Sequence, residues 1–218
     1  MTSTEGRKFR GMPPEERRAQ RRSQLLAAGL ETFGTHGFHA TGVRDICAAA
    51  NLTERYFYES FKNREALFAA VFDQCVDRLR ARMERAMADH AHLEPYEMAR
   101  AAMRQYLENL RDDPRMVRVL LIDAVAIDAD MGRKSVRAIR SFADLVTPIL
   151  ASRFPELSAQ GLDVQRIADG LVGSTVFIVT QWALSDFESA LEDVLCHCML
   201  FYASIGQATR AETGERFS

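Results

Sequence analysis

Apolar residues recur at helical spacing along almost the whole chain, and no stretch alternates apolar and polar positions as a half-buried strand would. The pattern predicts an all-α protein. A first helix is read over residues 19–35, with Leu26, Leu30 and Phe33 inward and Arg17, Arg18, Arg21 and Arg22 near its start. Short helices follow over 42–49 and 53–60, then a long one over 64–88 with Asn63 as its N-cap. Pro95 opens a helix to about Asn109, and Asp113-Pro114 opens another expected to run to Ile127. Gly132 begins the next, with Pro148 placed to disturb it, and residues 155–161 read as a loop. Over 163–184, residues Val164, Ile167, Ala168, Leu171, Val172, Thr175, Ile178, Val179 and Trp182 follow one face. Ser185 and Glu188 form a capping box for a last helix over about 186–204.

These two closing helices are apolar on more than one face, and Gly170, Gly173 and Ser174 would let another backbone come close. A second copy of the chain would cover the surplus surface; a buried central hairpin in a monomer is the alternative. Residues 1–18 are polar, carry Pro13-Pro14 and read as a flexible basic arm.

Composition adds an asymmetry that the net charge of −2 conceals. Residues 1–64 hold 11 Lys and Arg against 7 Asp and Glu, whereas the remainder holds 17 against 23. A basic end on an acidic body suits phosphate contact at one end. The most apolar run, Leu171–Leu184, is too short to span a bilayer and the N-terminus has no apolar signal region, so the expected location is cytoplasmic, with no membrane partner. Four cysteines without a spaced framework fit a reducing compartment.

Residues 41–61 carry the chemistry. They read as two short helices joined by a tight turn, the arrangement in which one helix braces the DNA backbone and the next enters a major groove. Val43, Ile46 and Ala49 point one way from the first; Leu52, Phe57 and Phe61 oppose them, with Phe33 and Phe38 closing the wall. Asn51 occupies the turn, where a left-handed backbone is often required. Thr41 and Thr53 are each placed to cap a helix and offer a hydroxyl to a phosphate. Glu54, Arg55, Tyr56 and Tyr58 are left facing outward; Arg55 can fork onto guanine, and Tyr58 and Lys62 can reach phosphates.

Residues from about 19 to 68 resemble the DNA-binding domain of the tetracycline-repressor-like (TetR) family of bacterial regulators. The resemblance runs through Leu26-Ala-Ala-Gly-Leu-Glu-Thr-Phe33, Gly37-Phe38-His-Ala-Thr41, Val43-Arg-Asp-Ile46 and Leu52-Thr53, then Tyr58-Glu-Ser-Phe61-Lys62 and Asn63-Arg-Glu-Ala-Leu67-Phe68. It implies DNA contacts at Thr41, Arg44, Thr53, Arg55, Tyr56, Tyr58 and Lys62. Gly42 stands where a second Thr or Ser is common, Asn51 replaces a turn glycine, and Glu54-Arg55-Tyr56 replaces small and basic residues. Glu54 repels phosphate but can accept from cytosine N4, so the DNA sequence preferred should be distinctive.

The resemblance further implies a C-terminal ligand pocket. Candidate lining residues are Met103, Tyr106, Leu107, Met116, Leu120, Asp123, Ile127, Phe142, Val146, Phe177 and Trp182, whose Met and Phe content suits an apolar or amphipathic small molecule. Asp123, a carboxylate in an apolar segment, needs a partner such as Arg118 or a cationic ligand. Cys196-His197-Cys198 is not a metal site, because positions two apart on a helix point about 200° from one another. No cofactor, metal or catalytic constellation is expected. The expected organisation is an arm (1–18), a three-helix helix-turn-helix DNA-binding domain (19–66) and a helical ligand-binding and dimerisation domain (67–218). The expected function is a homodimeric repressor released from a palindromic operator on double-stranded DNA by a small molecule, with the 64–88 helix transmitting the signal. An activator or effector-independent regulator, and a helical enzyme that retains the module, are the alternatives.

Overall fold

The computed structural model describes the backbone of residues 13–211 and the side chains of 13–205. Among the described residues it is helical, without strands. Helix α1 spans Pro14–His36, α2 Val43–Ala50, α3 Glu54–Ser60 and α4 Arg64–Asp89. Of the arm expected over 1–18, residues 1–12 lie outside the described part, and the rest is corrected: α1 starts at Pro14. Proline at the first helical position loses no hydrogen bond, and Glu15 and Glu16 complement the helix dipole.

Helices α1 to α3 and the first turns of α4 share one aromatic core. Phe33, Phe57, Phe68 and Ile46 are fully buried, each stabilising the fold by about 1.5–3 kcal/mol. Phe68 meets Phe33 and Phe38 edge-on at 5.2 Å. On α2 the inward residues are Ile46, Cys47 and Ala50, one position on from the expected Ala49. A domain boundary at 66/67 falls inside the first turn of α4, and Leu67 and Phe68 belong to this core.

Helix α5 (Pro95–Asp112) runs alongside α4, followed by the single turn α6 (Pro114–Val117). The helix expected to reach Ile127 does not persist. Residues Arg118–Ile122 widen into a π-helical turn and Asp123–Val125 tighten into a 3₁₀ turn. Helix α7 covers Ala129–Arg153, beginning before Gly132 because Asp128 accepts from the Met131 amide at 2.8 Å, and it continues through Pro148. A short α8 (Pro155–Ala159) lies where a loop was expected.

Helix α9 is Val164–Leu184 and α10 is Leu191–Ala211. The capping box at Ser185 does not form. The Ser185 hydroxyl donates to the Trp182 carbonyl, Asp186 and Phe187 take φ of +51° and +59°, and Trp182 Nε1 donates to the Ser189 carbonyl at 2.9 Å. By length and composition α9 could cross a membrane, contrary to the reading of Leu171–Leu184. In this fold, however, Val164, Ala168, Leu171, Val172, Thr175, Val179 and Trp182 are buried, so one face of α9 belongs to the core.

Candidate nucleic-acid interface and effector cavity

The turn between α2 and α3 is built as its residues require. Asn51 takes φ 52° and ψ 43°, and the Leu52 amide donates to the Cys47 carbonyl at 2.9 Å, which folds the chain back sharply. Phe57 turns inward from α3, leaving Glu54, Arg55 and Tyr58 exposed and Tyr56 half-buried. Thr53 is the N-cap of α3 with an exposed side chain, and Lys62 is exposed just beyond the helix.

Thr41 is corrected. Gly42, not Thr41, is the N-cap of α2, and its amide donates to Asp45 Oδ2 at 2.8 Å. The Thr41 side chain is buried, with Oγ1 2.7 Å from the Gly37 carbonyl and 3.2 Å from that of Thr32. Its hydroxyl locks the end of α1 and cannot serve a phosphate.

The outward charges are paired on the surface. Arg44 Nε lies 3.2 Å from Glu54 Oε1, tying α2 to α3, and Arg55 Nε lies 3.1 Å from Glu59 Oε1. Exposed pairs of this kind contribute little to stability, about 0.2–1 kcal/mol, and each is made through Nε, with the terminal guanidinium nitrogens left for other partners. Three residues outside the sequence-based set brace the unit. Arg21 sits 4.4 Å over the Tyr56 ring, Arg22 sits 4.8 Å over Phe61, and Arg64 donates to the carbonyls of Phe38 and Thr41. The arginines near the start of α1 were visible in the sequence; the faces they stack on were not.

In the C-terminal helices a narrow cavity of about 100 Å³ opens between α4, α5, α7, α9 and α10. Met103, Tyr106, Leu120, Phe142 and Val146 line it, as expected. Phe72, Val76, Leu79 and Met83 of α4 complete the wall, their helical spacing having been absorbed into the general core pattern. A wider cavity of about 350 Å³ adjoins it, sharing Met83, Met103, Val146 and Tyr202, and carries Tyr96 and Arg153. The inner walls are almost wholly apolar. The hydroxyls of Ser135 and Thr175 bond to carbonyls of their own helices. Burial raises the Tyr106 hydroxyl well above the ordinary tyrosine range and pushes Tyr202 up to about 12, so both stay neutral.

Six expected lining residues lie elsewhere. Leu107 and Met116 are sealed in the central core, and Trp182 is anchored through Ser189. Phe177 points outward, 67% exposed, because α9 is apolar on two faces. Asp123 turns away from the cavity and accepts the Phe38 amide at 2.7 Å, while Ile127 packs against the core. Cys196 is exposed and Cys198 buried, so the two thiols diverge. Among the described residues no group of three His, Cys, Asp or Glu side chains is placed to hold a metal.

Residues 25–71 match the family model for bacterial regulatory proteins of the tetR family. A curated relative, the HTH-type transcriptional activator FasR of Mycolicibacterium smegmatis, is 25% identical over 172 residues, covering 78% of this chain and 75% of that protein. The chain therefore carries, over residues 25–71, a DNA-binding domain of the tetR family. It is a DNA-binding transcriptional regulator. Solved tetR-type structures share its fold. FadR from Bacillus subtilis, in complex with stearoyl-CoA, superposes with a TM-score of 0.67 at 18% identity, covering 81% of this chain and 95% of that one. Thermus thermophilus FadR, a TetR family transcriptional repressor in complex with lauroyl-CoA, gives 0.59 at 22% identity, covering 82% and 91%.

Proposed function

We propose that this tetR-family chain is a homodimeric regulator whose grip on an operator is changed by a long-chain acyl ligand such as an acyl-CoA. The observation that carries the ligand class is the paired cavity: a narrow apolar chamber that shares four wall residues with a wider one carrying Arg153. A thin apolar chain suits the first, and a polar, anionic head suits the mouth. Two FadR structures with this fold hold stearoyl-CoA and lauroyl-CoA, which supports the same class here. FasR is named an activator and Thermus FadR a repressor, so either sign of regulation fits; we favour the repressor.

For DNA we assign Arg44, Thr53, Glu54, Arg55, Tyr56, Tyr58 and Lys62, all on or flanking α2 and α3. Two copies, joined through α9 and α10, would set their α3 helices about 34–36 Å apart on a palindromic site. Outward Phe177, Leu184, Leu200 and Phe201 supply the apolar face for that joint, and a Cβ at Gly170 or Gly173 would meet no described atom within 4 Å. Helices α1 to α3, closed by Leu67 and Phe68 in the first turns of α4, are the DNA-binding unit, and the helices that follow are the effector and dimer unit. We place the protein in the bacterial cytoplasm and assign it no catalysis, since its relatives are transcriptional regulators.

The link between the units is the irregular turn 118–125 together with α4. Leu120, Leu121 and Val125 face the cavity, while Arg118 and Asp123 of the same turn hold Thr35 and Phe38 at the end of α1. In a gel-shift titration, Tyr58→Ala should weaken binding to every duplex, and Arg55→Ala should also relax base preference. Unchanged binding in both variants would contradict the assignment.

A further inference from the structure

The base-reading side chain of α3 is not free-standing. Glu59, one turn along from Arg55, binds the Arg55 Nε at 3.1 Å and lies 3.7 Å from Arg21 Nη2 of α1. Arg21 also covers the Tyr56 ring, and Arg18 donates to the Glu59 carbonyl at 3.1 Å. The exposures separate the two arginines: the side chain of Arg55 is 84% exposed and that of Arg21 only 23%. Arg21 is therefore turned into α3, and Arg55 is turned out from it.

Arginine reads guanine by a planar fork, which discriminates only when held in one orientation. A carboxylate bound at Nε supplies that restraint and leaves both terminal nitrogens available. Glu59 is itself restrained, because Arg21 reaches it from another helix and is fixed by stacking on Tyr56.

We propose that Glu59 and Arg21 are positioning residues that set the base preference of this regulator, Arg21 pinning Glu59 and Glu59 aiming the Arg55 guanidinium. Neither touches DNA in this scheme. The proposal rests on α3 being the helix that enters the major groove.

The test uses a duplex selected by the full-length wild-type chain from a random-sequence library, together with its single-base variants, in equilibrium titrations. Arg55→Ala should flatten the preference at one base pair of each half-site by roughly 5- to 150-fold, the range for a bidentate arginine–guanine contact. Glu59→Ala should flatten the same position several-fold, Glu59→Gln less because it keeps an acceptor, and Arg21→Ala in the same direction. In the Glu59→Ala background, Arg55→Ala should cost less than it does alone. The salt dependence of binding should be unchanged in Glu59→Ala and Arg21→Ala, since no phosphate contact is lost. If Arg55→Ala alters preference while the Glu59 variants do not, this proposal is overturned and the assignment of α3 stands. If Arg21→Ala reduces the logarithmic salt slope by about 0.9, Arg21 is a phosphate contact and the proposal is also overturned. If Arg55→Ala leaves preference intact, both readings fall.

Discussion

Replacing Asp123 with alanine removes a carboxylate that joins the irregular turn to the segment just after α1. The Phe38 amide donates to Asp123 Oδ2 at 2.7 Å, and the carboxylate side chain is only 13% exposed, so water replaces it poorly. Arg118 Nε, 4.0 Å from Asp123 Oδ1, is buried and has no hydrogen-bond partner among the described residues. Alanine would thus strand an amide beside the buried Phe38 and leave a guanidinium without its nearest counter-charge. A hydrogen bond to a charged group nets about 1.5–3 kcal/mol. For a chain of this size each kcal/mol moves the midpoint by about 2–4 °C, which gives a fall of roughly 3–12 °C. Asparagine, which still accepts, should cost less. Calorimetry supplies the first readout, and a DNA titration with and without stearoyl-CoA the second. The coupling between sites, typically about 1–3 kcal/mol, should shrink in Asp123→Ala while stearoyl-CoA still binds. Wild-type melting together with a full ligand response would refute this account of the turn.

Gly34→Ala should destabilise the same junction by about 1–3 kcal/mol or more in chemical denaturation, because its Cβ would lie 2.3 Å from Arg115 Cβ and 2.7 Å from Arg115 Cα. The stability of the chain should fall with rising pH above about 9, measured by denaturant titration. Burial pushes the Cys75 thiol from its ordinary 9.0 up to about 12 and raises Tyr106 and Tyr202 as well. The folded state therefore keeps protons that the unfolded chain releases, at about 1.4 kcal/mol per pH unit for each group between its two values. Phe177→Glu combined with Leu200→Glu should shift the chain from dimer to monomer in sedimentation without lowering its helix content, since both side chains lie outside the core of one copy.

The sequence made the local devices legible and left the long-range ones hidden. Helical periodicity located α1 to α4, and Asn51 announced the left-handed turn because few residues tolerate it. The neighbours of Thr41 predict a cap, yet the carbonyls of Gly37 and Thr32 claim its hydroxyl, and that depends on how α1 ends. The same holds for Asp123. Its need for a partner was readable, but the Phe38 amide lies 85 positions away. Phe177 and Trp182 share a helix that is apolar on two sides, so periodicity could not say which side faces the ligand cavity and which faces out. The wide turn at 118–122 buries Val119 and Leu120, and local propensity carries no mark of it.

The most direct test of the central claim is the affinity of the purified chain for its selected duplex, measured by fluorescence anisotropy against increasing stearoyl-CoA, with coenzyme A alone as control. Stearoyl-CoA should change the apparent Kd by roughly 5- to 150-fold, and coenzyme A should not. An affinity that stays the same at saturating stearoyl-CoA, with the ligand shown to be bound, would contradict it.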